Sequence, residues 1–456
     1  MRIVLVIGAG KSASYLIDYL LKKAATQQLH IIIGDLNTAH VDTLLKGHPH
    51  SEAIPLDISN ANDREAAIKR ADVVISMLPP SLHIQVAKDC VMHKKHLVTA
   101  SYVSPEMQEL DTEVKKNGLI FMNEIGLDPG IDHMSAMQVI DRIRDKGGKM
   151  ILFESFTGGL VAPEDDTNLW NYKFTWNPRN VVLAGQNGSA KFIQEGTYKY
   201  IPYYKLFRRT EFIDIEGYGK FEVYPNRDSL NYRSAYGLDD VLTLYRGTIR
   251  RVGFSRAWNM FVRLGITEDD YIIEDSEHMS YRDFINAFLP HSPTDSVELK
   301  MRHYLKIDQD DVMWDKLVEL DLFSKTKKVG LKRATPAQIL QRILEDSWAL
   351  DDNDKDMIIM YHKFGYELNG KKQQTDSHMV VLGQDRTYTA MAKTVGLPAA
   401  MAALHILNGN VTTSGVQIPI NKEIYDPVLE ELQAYDVIFK EKEVPYVGYN
   451  PDNVVI

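Results

Sequence analysis

Ile3-Val4-Leu5-Val6-Ile7-Gly8-Ala9-Gly10-Lys11-Ser12-Ala13-Ser14 opens with a short apolar run, breaks at a glycine and continues as G-x-G-x-x-A. Helical spacing follows over Ser14 to Lys23, with Leu16, Ile17, Leu20 and Leu21 on one face. Strand, turn and helix in this order are the context a dinucleotide-binding fingerprint requires, whereas a glycine triplet alone is weak. Gly8 permits the tight turn, Gly10 lets the backbone approach a pyrophosphate, and the small Ala13 allows close helix-to-strand packing. The phosphates then rest on the helix N-terminus. The alternative is a glycine-rich turn in some other α/β domain.

Working outward, short β-branched runs at Ile3 to Ile7, His30 to Gly34, Val73 to Met77, His96 to Ala100 and Leu119 to Met122 alternate with helical stretches. They are apolar on both faces, as strands of a parallel sheet covered by helices must be. The expected architecture is α/β, an N-terminal Rossmann domain with a doubly wound parallel sheet. Asp35, in Gly34-Asp35-Leu36, follows the second strand about 20 residues past the motif, where a carboxylate accepts from an adenosine ribose hydroxyl. It repels a 2′-phosphate, so NAD is favoured over NADP, although Lys11 or Thr38 can still meet a phosphate and Asp35 can serve as a plain turn residue. Ser76-Met77-Leu78-Pro79-Pro80 and Thr99-Ala100-Ser101-Tyr102 end the runs at Val73 and His96 and should line the ligand crevice.

Beyond the first domain the texture becomes loops, aromatics and alternating strands, including Met150 to Phe156 and Lys220 to Tyr224. From Ser255 the spacing turns helical: Trp258, Phe261 and Val262 before Gly265, then Thr335 as an N-cap with Pro336 at the first helical position. Strand texture returns at Met357 to Leu368, turns at Asn369-Gly370, a type I′ hairpin signal, and resumes at His378. The expected divisions are 1–126 for the dinucleotide-binding domain, 127–254 with 356–456 for a discontinuous α+β domain, and 255–355 for a mostly helical insertion. Trp170, Tyr172, Phe174 and Trp176 alternate at period two, which suggests a strand with an aromatic face or, equally, core packing.

The chain has 456 residues, 44% hydrophobic and 25% charged, too many for one core and ordinary for a multidomain globular protein. No run approaches the roughly 18 apolar residues of a membrane span, and the first apolar run is too short for a secretory signal. A soluble, cytoplasmic protein is expected. Its single cysteine, Cys90, excludes an internal disulfide, and no Cys/His group has zinc spacing, so no metal is expected. A net charge of −10 argues against nucleic acid as a partner.

Further strings carry more. Ser101-Tyr102-Val103-Ser104-Pro105, Asn123 through His133 (NEIGLDPGIDH), Gly158-Gly159-Leu160 and Tyr224-Pro225-Asn226-Arg227-Asp228 resemble, in order and spacing, the saccharopine dehydrogenase family, its glutamate-forming saccharopine reductases above all. The likeness continues through Arg246 to Arg250 and Ala390 to Pro398. It implies a homodimeric enzyme of lysine metabolism that oxidises saccharopine with a nicotinamide cofactor and water to glutamate and 2-aminoadipate semialdehyde, reversibly. Carried across, cofactor contacts fall on Ala9 to Ser12, Asp35, Leu36, Asp57, Ile58, Ile75, Thr99, Ala100, Leu127 and Pro129, and substrate contacts on Ser101, Tyr102, Asp128, Arg227, Thr248 and Arg250. Two departures stand out: fungal members carry a basic residue where this chain has Asp35, and a cysteine where it has Thr157.

Oxidising a secondary amine and hydrolysing the resulting imine both need proton transfer, for which Asp128 and Tyr102 are the candidates. Asp128 can instead cap the helix that opens near Pro129, and His133 is a lesser candidate base or a structural hydrogen-bonder. Saccharopine is a small molecule bearing three carboxylates, which guanidinium forks bind bidentately, so Arg227 and Arg250 are the expected anchors, with Arg251 able to exchange roles with Arg250. Competing readings are a polyamine dehydrogenase of the carboxynorspermidine or homospermidine type, and a non-catalytic NAD(H) sensor.

Overall fold

A computed structural model describes residues 1–186, 188–449 and 454–455. The chain forms two compact units, each assembled from separate segments: Met1–Lys149 with Met379–Lys440, and Met150–His378 with Glu441–Ile456.

In the first unit β1 (Arg2–Ile7), β2 (Leu29–Asp35), β3 (Ser51–Pro55), β4 (Val73–Ser76), β5 (His96–Thr99) and β6 (Ile120–Met122) join with the strand Gly415–Gln417 in one sheet. The order, from the Gly415–Gln417 edge, is β6-β5-β4-β1-β2-β3, and every pairing is parallel. Val4, Leu5 and Val6 of β1, Ile31 to Ile33 of β2 and Val73 to Ile75 of β4 are fully buried, the two-sided burial that their unbroken apolar runs require. Strand order reverses between β1 and β4, so the ligand crevice of a doubly wound sheet opens at the carboxyl ends of these two strands.

The division expected from sequence needs correcting in this unit. By their contacts, residues 127–149 and 379–440 fall in the same compact unit as the nucleotide-type sheet. The helix Ala390–Leu407 is long and apolar enough for a membrane span, but 83% of that window is buried inside the protein. It lies so close to the first helix, Ser14–Ala24, that a Cβ on Gly396 would come within 2.8 Å of the Ser12 carbonyl oxygen and 3.1 Å of Leu16. Texture along the chain reports local periodicity, not the sheet against which a helix packs.

The second unit is built on a mixed sheet. Its strands include β7 (Lys149–Val161), β8 (Ala190–Gln194), β9 (Thr197–Ile201), β10 (Thr210–Ile215), β11 (Gly219–Pro225), β12 (Thr243–Arg251), β13 (Asp356–Leu368) and β14 (Lys371–Leu382). The central order is β14-β13-β7-β12-β11-β10, with β7 parallel to β12 and β12 antiparallel to β11. Asn369 and Gly370 both adopt left-handed φ, 52° and 74°, as the type I′ hairpin between β13 and β14 demands. β14 begins at Lys371, seven residues before the strand texture that the sequence shows.

Helices Phe254–Leu264, Tyr281–Ala287, Val297–Leu305, Val312–Glu319 and Pro336–Trp348 form the helical part of this unit. Gly265 ends the first with φ 81°, and Thr335 opens the last in a full capping box with Gln338. Their apolar faces close on Trp170, Trp258 and Trp348, with the Trp170 and Phe261 rings stacked at 5.4 Å. Trp170, Tyr172, Phe174 and Trp176 therefore do not form a strand; they lie on an irregular segment whose first three rings fill this core, held by the Phe174 amide donating to Trp348 O at 2.7 Å.

Candidate functional site

Gly8 has a φ of 95°, and a Cβ there would press on Met77 O at 3.1 Å, so the turn tolerates no side chain. A Cβ on Gly10 would meet nothing within 4 Å, which leaves open space over the loop. The helix Ser14–Ala24 starts without a side-chain cap and carries Lys22 and Lys23 in its last turn. Uncapped N–H groups, the positive end of the dipole and the open approach at Gly10 suit a dinucleotide pyrophosphate. Lys11 is exposed and Ser12 half-buried beside it.

Asp35 closes this cradle. Its Oδ2 accepts from the Ala9 amide and its Oδ1 from the Asn37 amide, both at 2.8 Å, so the carboxylate pins the glycine-rich loop to the end of β2. Each oxygen keeps a further lone pair for a ribose hydroxyl. Leu36 projects outward, 78% exposed. Asp57 is exposed, and its Oδ1 accepts from both the amide and the hydroxyl of Ser59, hydrogen bonds that hold its carboxyl below the usual carboxylate range; Ile58 is half-buried beside it. Ile75 is sealed inside β4, which leaves only its backbone for any ligand.

At the end of β5, Thr99 is buried while Ala100, Ser101 and Tyr102 are half-buried. Behind them lies a side chain that sequence reasoning missed. His83, the first residue of the helix His83–Met92, sits with Nδ1 2.8 Å from Ser76 Oγ and Nε2 2.7 Å from Ser101 Oγ. Burial pushes its pKa down to about 4. Nothing in the local sequence marks it, because the contact depends on two different strand ends converging.

The segment 123–133 folds into a tight loop entering the helix Ile131–Asp145, with a cis Asp128-Pro129 peptide and Leu127 and Pro129 buried. Asp128 is half-buried. It is not the helix cap: the N-cap position is Gly130, without a side-chain cap, and Asp132 Oδ1 accepts from the Gly130 amide at 2.6 Å. His133 is fully buried with Nε2 2.9 Å from Glu124 Oε2, while Glu124 Oε1 accepts from the Val103 amide at 3.0 Å. That pair ties the Tyr102 loop to the helix, a structural post for His133.

In the second unit, Thr248 and Arg250 alternate onto one face of β12, and Thr157 of β7 stands directly beside Thr248. Arg250, 5% exposed, is enclosed by the Tyr172, Phe254 and Tyr224 rings at 5.0, 5.3 and 5.9 Å, and its buried Nε has no hydrogen-bond partner among the described residues. The hydroxyl of Thr157, the position at which the sequence departs from the pattern it resembles, is likewise buried without a described partner. Two partnerless polar groups on one sheet face are a ready receptor for a polar ligand. Arg251 points to the other face, over the Phe221 ring at 4.3 Å and donating to Tyr218 O. Arg227 is exposed with φ 48° in the turn after β11, where its carbonyl accepts from the Lys191 amide. Cys90 is buried and apolar burial pushes its thiol up, so it offers no thiolate. Among the described residues no cluster has the composition of a metal site.

Comparison with known proteins gives these arrangements a context. The description "Saccharopine dehydrogenase NADP binding domain" matches residues 4–122, and "Saccharopine dehydrogenase C-terminal domain" matches 126–438. The chain is 34% identical over 449 residues to saccharopine dehydrogenase (NADP(+), L-glutamate-forming) of Saccharomyces cerevisiae, covering 97% of this chain and 99% of that one. It is 32% identical to the mitochondrial alpha-aminoadipic semialdehyde synthase of Rattus norvegicus, covering 96% of this chain and 47% of the larger protein. The solved apo saccharopine dehydrogenase (L-Glu forming) from Saccharomyces cerevisiae superposes with a TM-score of 0.88 at 33% identity, over 98% of this chain and 100% of that one.

Proposed function

Because this chain belongs to the saccharopine dehydrogenase family and is an NAD(P)-using oxidoreductase of it, we propose that it interconverts saccharopine and water with L-glutamate and 2-aminoadipate 6-semialdehyde. The observation that carries this reading is the likeness to the yeast enzyme over nearly the whole of both chains, with the dinucleotide turn intact. Bound nicotinamide supplies the hydride acceptor. The backbone from Gly8 to Ser12 holds the pyrophosphate and Asp35 the ribose. Arg227, Thr248 and Arg250 bind substrate carboxylates, and the aromatic enclosure of Arg250 keeps its charge dry and strong. A polycationic substrate is disfavoured by the same buried guanidinium.

Asp128 and Tyr102 are assigned the proton work: taking a proton from the secondary ammonium before hydride leaves, then from the water that attacks the imine carbon, and returning one to the departing glutamate nitrogen. Their half-burial leaves them partly accessible. The relatives from Saccharomyces cerevisiae and Schizosaccharomyces pombe carry NADP(+) in their names, but Asp35 leads us to assign NAD here.

The test is to mix purified protein with saccharopine and either NAD or NADP and follow the absorbance of reduced nicotinamide. Faster reduction of NAD, abolished by Arg250→Ala and strongly slowed by Asp128→Asn, is the expected result. Measurable cofactor binding with no turnover of saccharopine would overturn the assignment.

A further inference from the structure

We propose that His83 is a positioning residue for substrate: clamped between Ser76 and Ser101, its ring turns the proton of the Ser101 hydroxyl outward to a substrate carboxylate. The inference rests on the reading above, in which Ser101 meets an anionic substrate.

The geometry leaves few arrangements. Ser76 ends β4, Thr99 ends β5, and His83 bridges the gap behind them; Ser76, His83 and Thr99 are buried, and Ser101 alone of the four is half-exposed. The chain of hydroxyls and imidazole thus runs from the interior to the carboxyl edge of the sheet, where ligands of such folds bind. Burial at the start of a helix disfavours a second ring proton, so the ring stays neutral at working pH and has one N–H and one bare nitrogen.

A serine hydroxyl has a single proton. If Nε2 were bare, Ser101 would give that proton to the ring at 2.7 Å and present only lone pairs outward, repelling a carboxylate. With the proton on Nε2, Ser101 Oγ accepts from the ring and keeps its own proton for the ligand. Nδ1 is then bare, and Ser76 Oγ, 2.8 Å away, is its donor. Thr99 Oγ1, 3.4 Å from Nε2, accepts from the Ser101 amide at 3.3 Å and keeps the serine backbone in place. In this arrangement the buried Ser76 hydroxyl has Nδ1 as its acceptor, and the Ser101 proton points away from His83.

Removing the ring leaves the Ser101 hydroxyl free to rotate, so the substrate loses an oriented charge-assisted bond while hydride transfer is untouched. His83→Leu is expected to raise the KM for saccharopine about tenfold or more with kcat within roughly threefold, and to leave the Kd for the nicotinamide cofactor unchanged. His83→Gln, which can still place an amide N–H near the Nε2 position, should recover most of the loss. Ser101→Ala in the His83→Leu background should add almost nothing further.

Nitrogen NMR of the ring in the unliganded wild-type protein should show the Nε2-protonated tautomer, a readout independent of activity and of whether His83→Leu folds. An Nδ1-protonated ring, additive effects of the two substitutions, or a KM change that merely tracks a lowered Tm and a weakened cofactor Kd would overturn the proposal. Wild-type protein that never turns over saccharopine would instead fail the reading on which it rests, with the tautomer still deciding the orientation of Ser101.

Discussion

Single side chains decide what the two units can discriminate. Asp35 pins Ala9 and Asn37 and, on the proposed reading, meets the ribose with negative charge, so Asp35→Ser should raise the KM for NAD about tenfold and shift the NADP-to-NAD preference by a comparable factor or more, read from initial rates with each cofactor. A second carboxylate matters for stability. Glu211 on β10 is buried near Glu154 of β7, whose Oε2 lies 2.7 Å from Lys363 Nζ; burial and then the Glu154 charge push Glu211 up to about 7 from its usual 4.5. An acid whose folded pKa is raised contributes stability that is full below pH 4.5 and is lost as pH rises towards 7. Glu211→Gln should therefore raise the Tm at pH 8 and leave it nearly unchanged at pH 4.5, as thermal melts at the two values can check. His83 acts with the opposite sign: its depressed pKa costs stability as pH falls from 6.5 to about 4. At this scale the sequence is legible where geometry follows from local spacing, as in the tight turn at Gly8. It is silent where partners come from distant strands, as with Glu154 and Glu211 or with Ser76, His83 and Ser101.

Among elements, caps and tight turns were readable because their chemistry is contained in four or five residues. Thr335 and Pro336 announce the helix Pro336–Trp348, and Asn369-Gly370 announces the hairpin between β13 and β14. Thr335→Ala should cost about 1 kcal/mol, measured as a denaturant-midpoint shift with unchanged slope. The aromatic alternation from Trp170 to Trp176 left a strand and core packing equally open, and core packing is the outcome, because period two is also how an extended, irregular segment feeds rings into a helical core. Helix contacts cannot be read this way, and Gly396 shows the consequence. In a helix interior glycine-to-alanine usually stabilises by about 1 kcal/mol. Here the added methyl would meet Ser12 O at 2.8 Å and Leu16 at 3.1 Å, immediately under the dinucleotide turn. Gly396→Ala should destabilise by about 1–3 kcal/mol and weaken cofactor binding roughly tenfold, which titration of reduced nicotinamide fluorescence can measure.

Across the whole molecule, the chain passes between its two compact units three times, after residues 149, 378 and 440. The family descriptions divide it once, between 122 and 126, following sequence continuity where the contacts follow packing. A fragment of residues 1–149 should therefore bind nicotinamide cofactor poorly, and joining 379–440 to it should restore binding, as calorimetry on the two fragments would show. The helix Ala390–Leu407 that backs the dinucleotide turn, and the edge strand Gly415–Gln417, are made only after residues 150–378 of the other unit. A ribosome synthesising this protein has translated residues 150–378 before the nucleotide-binding unit holds all its own pieces. The N-terminal sheet must wait, with one flank uncovered, while more than two hundred residues of the other unit emerge. Synonymous codon changes that slow translation between residues 150 and 378 should lengthen that wait and lower the yield of active protein without altering a single residue.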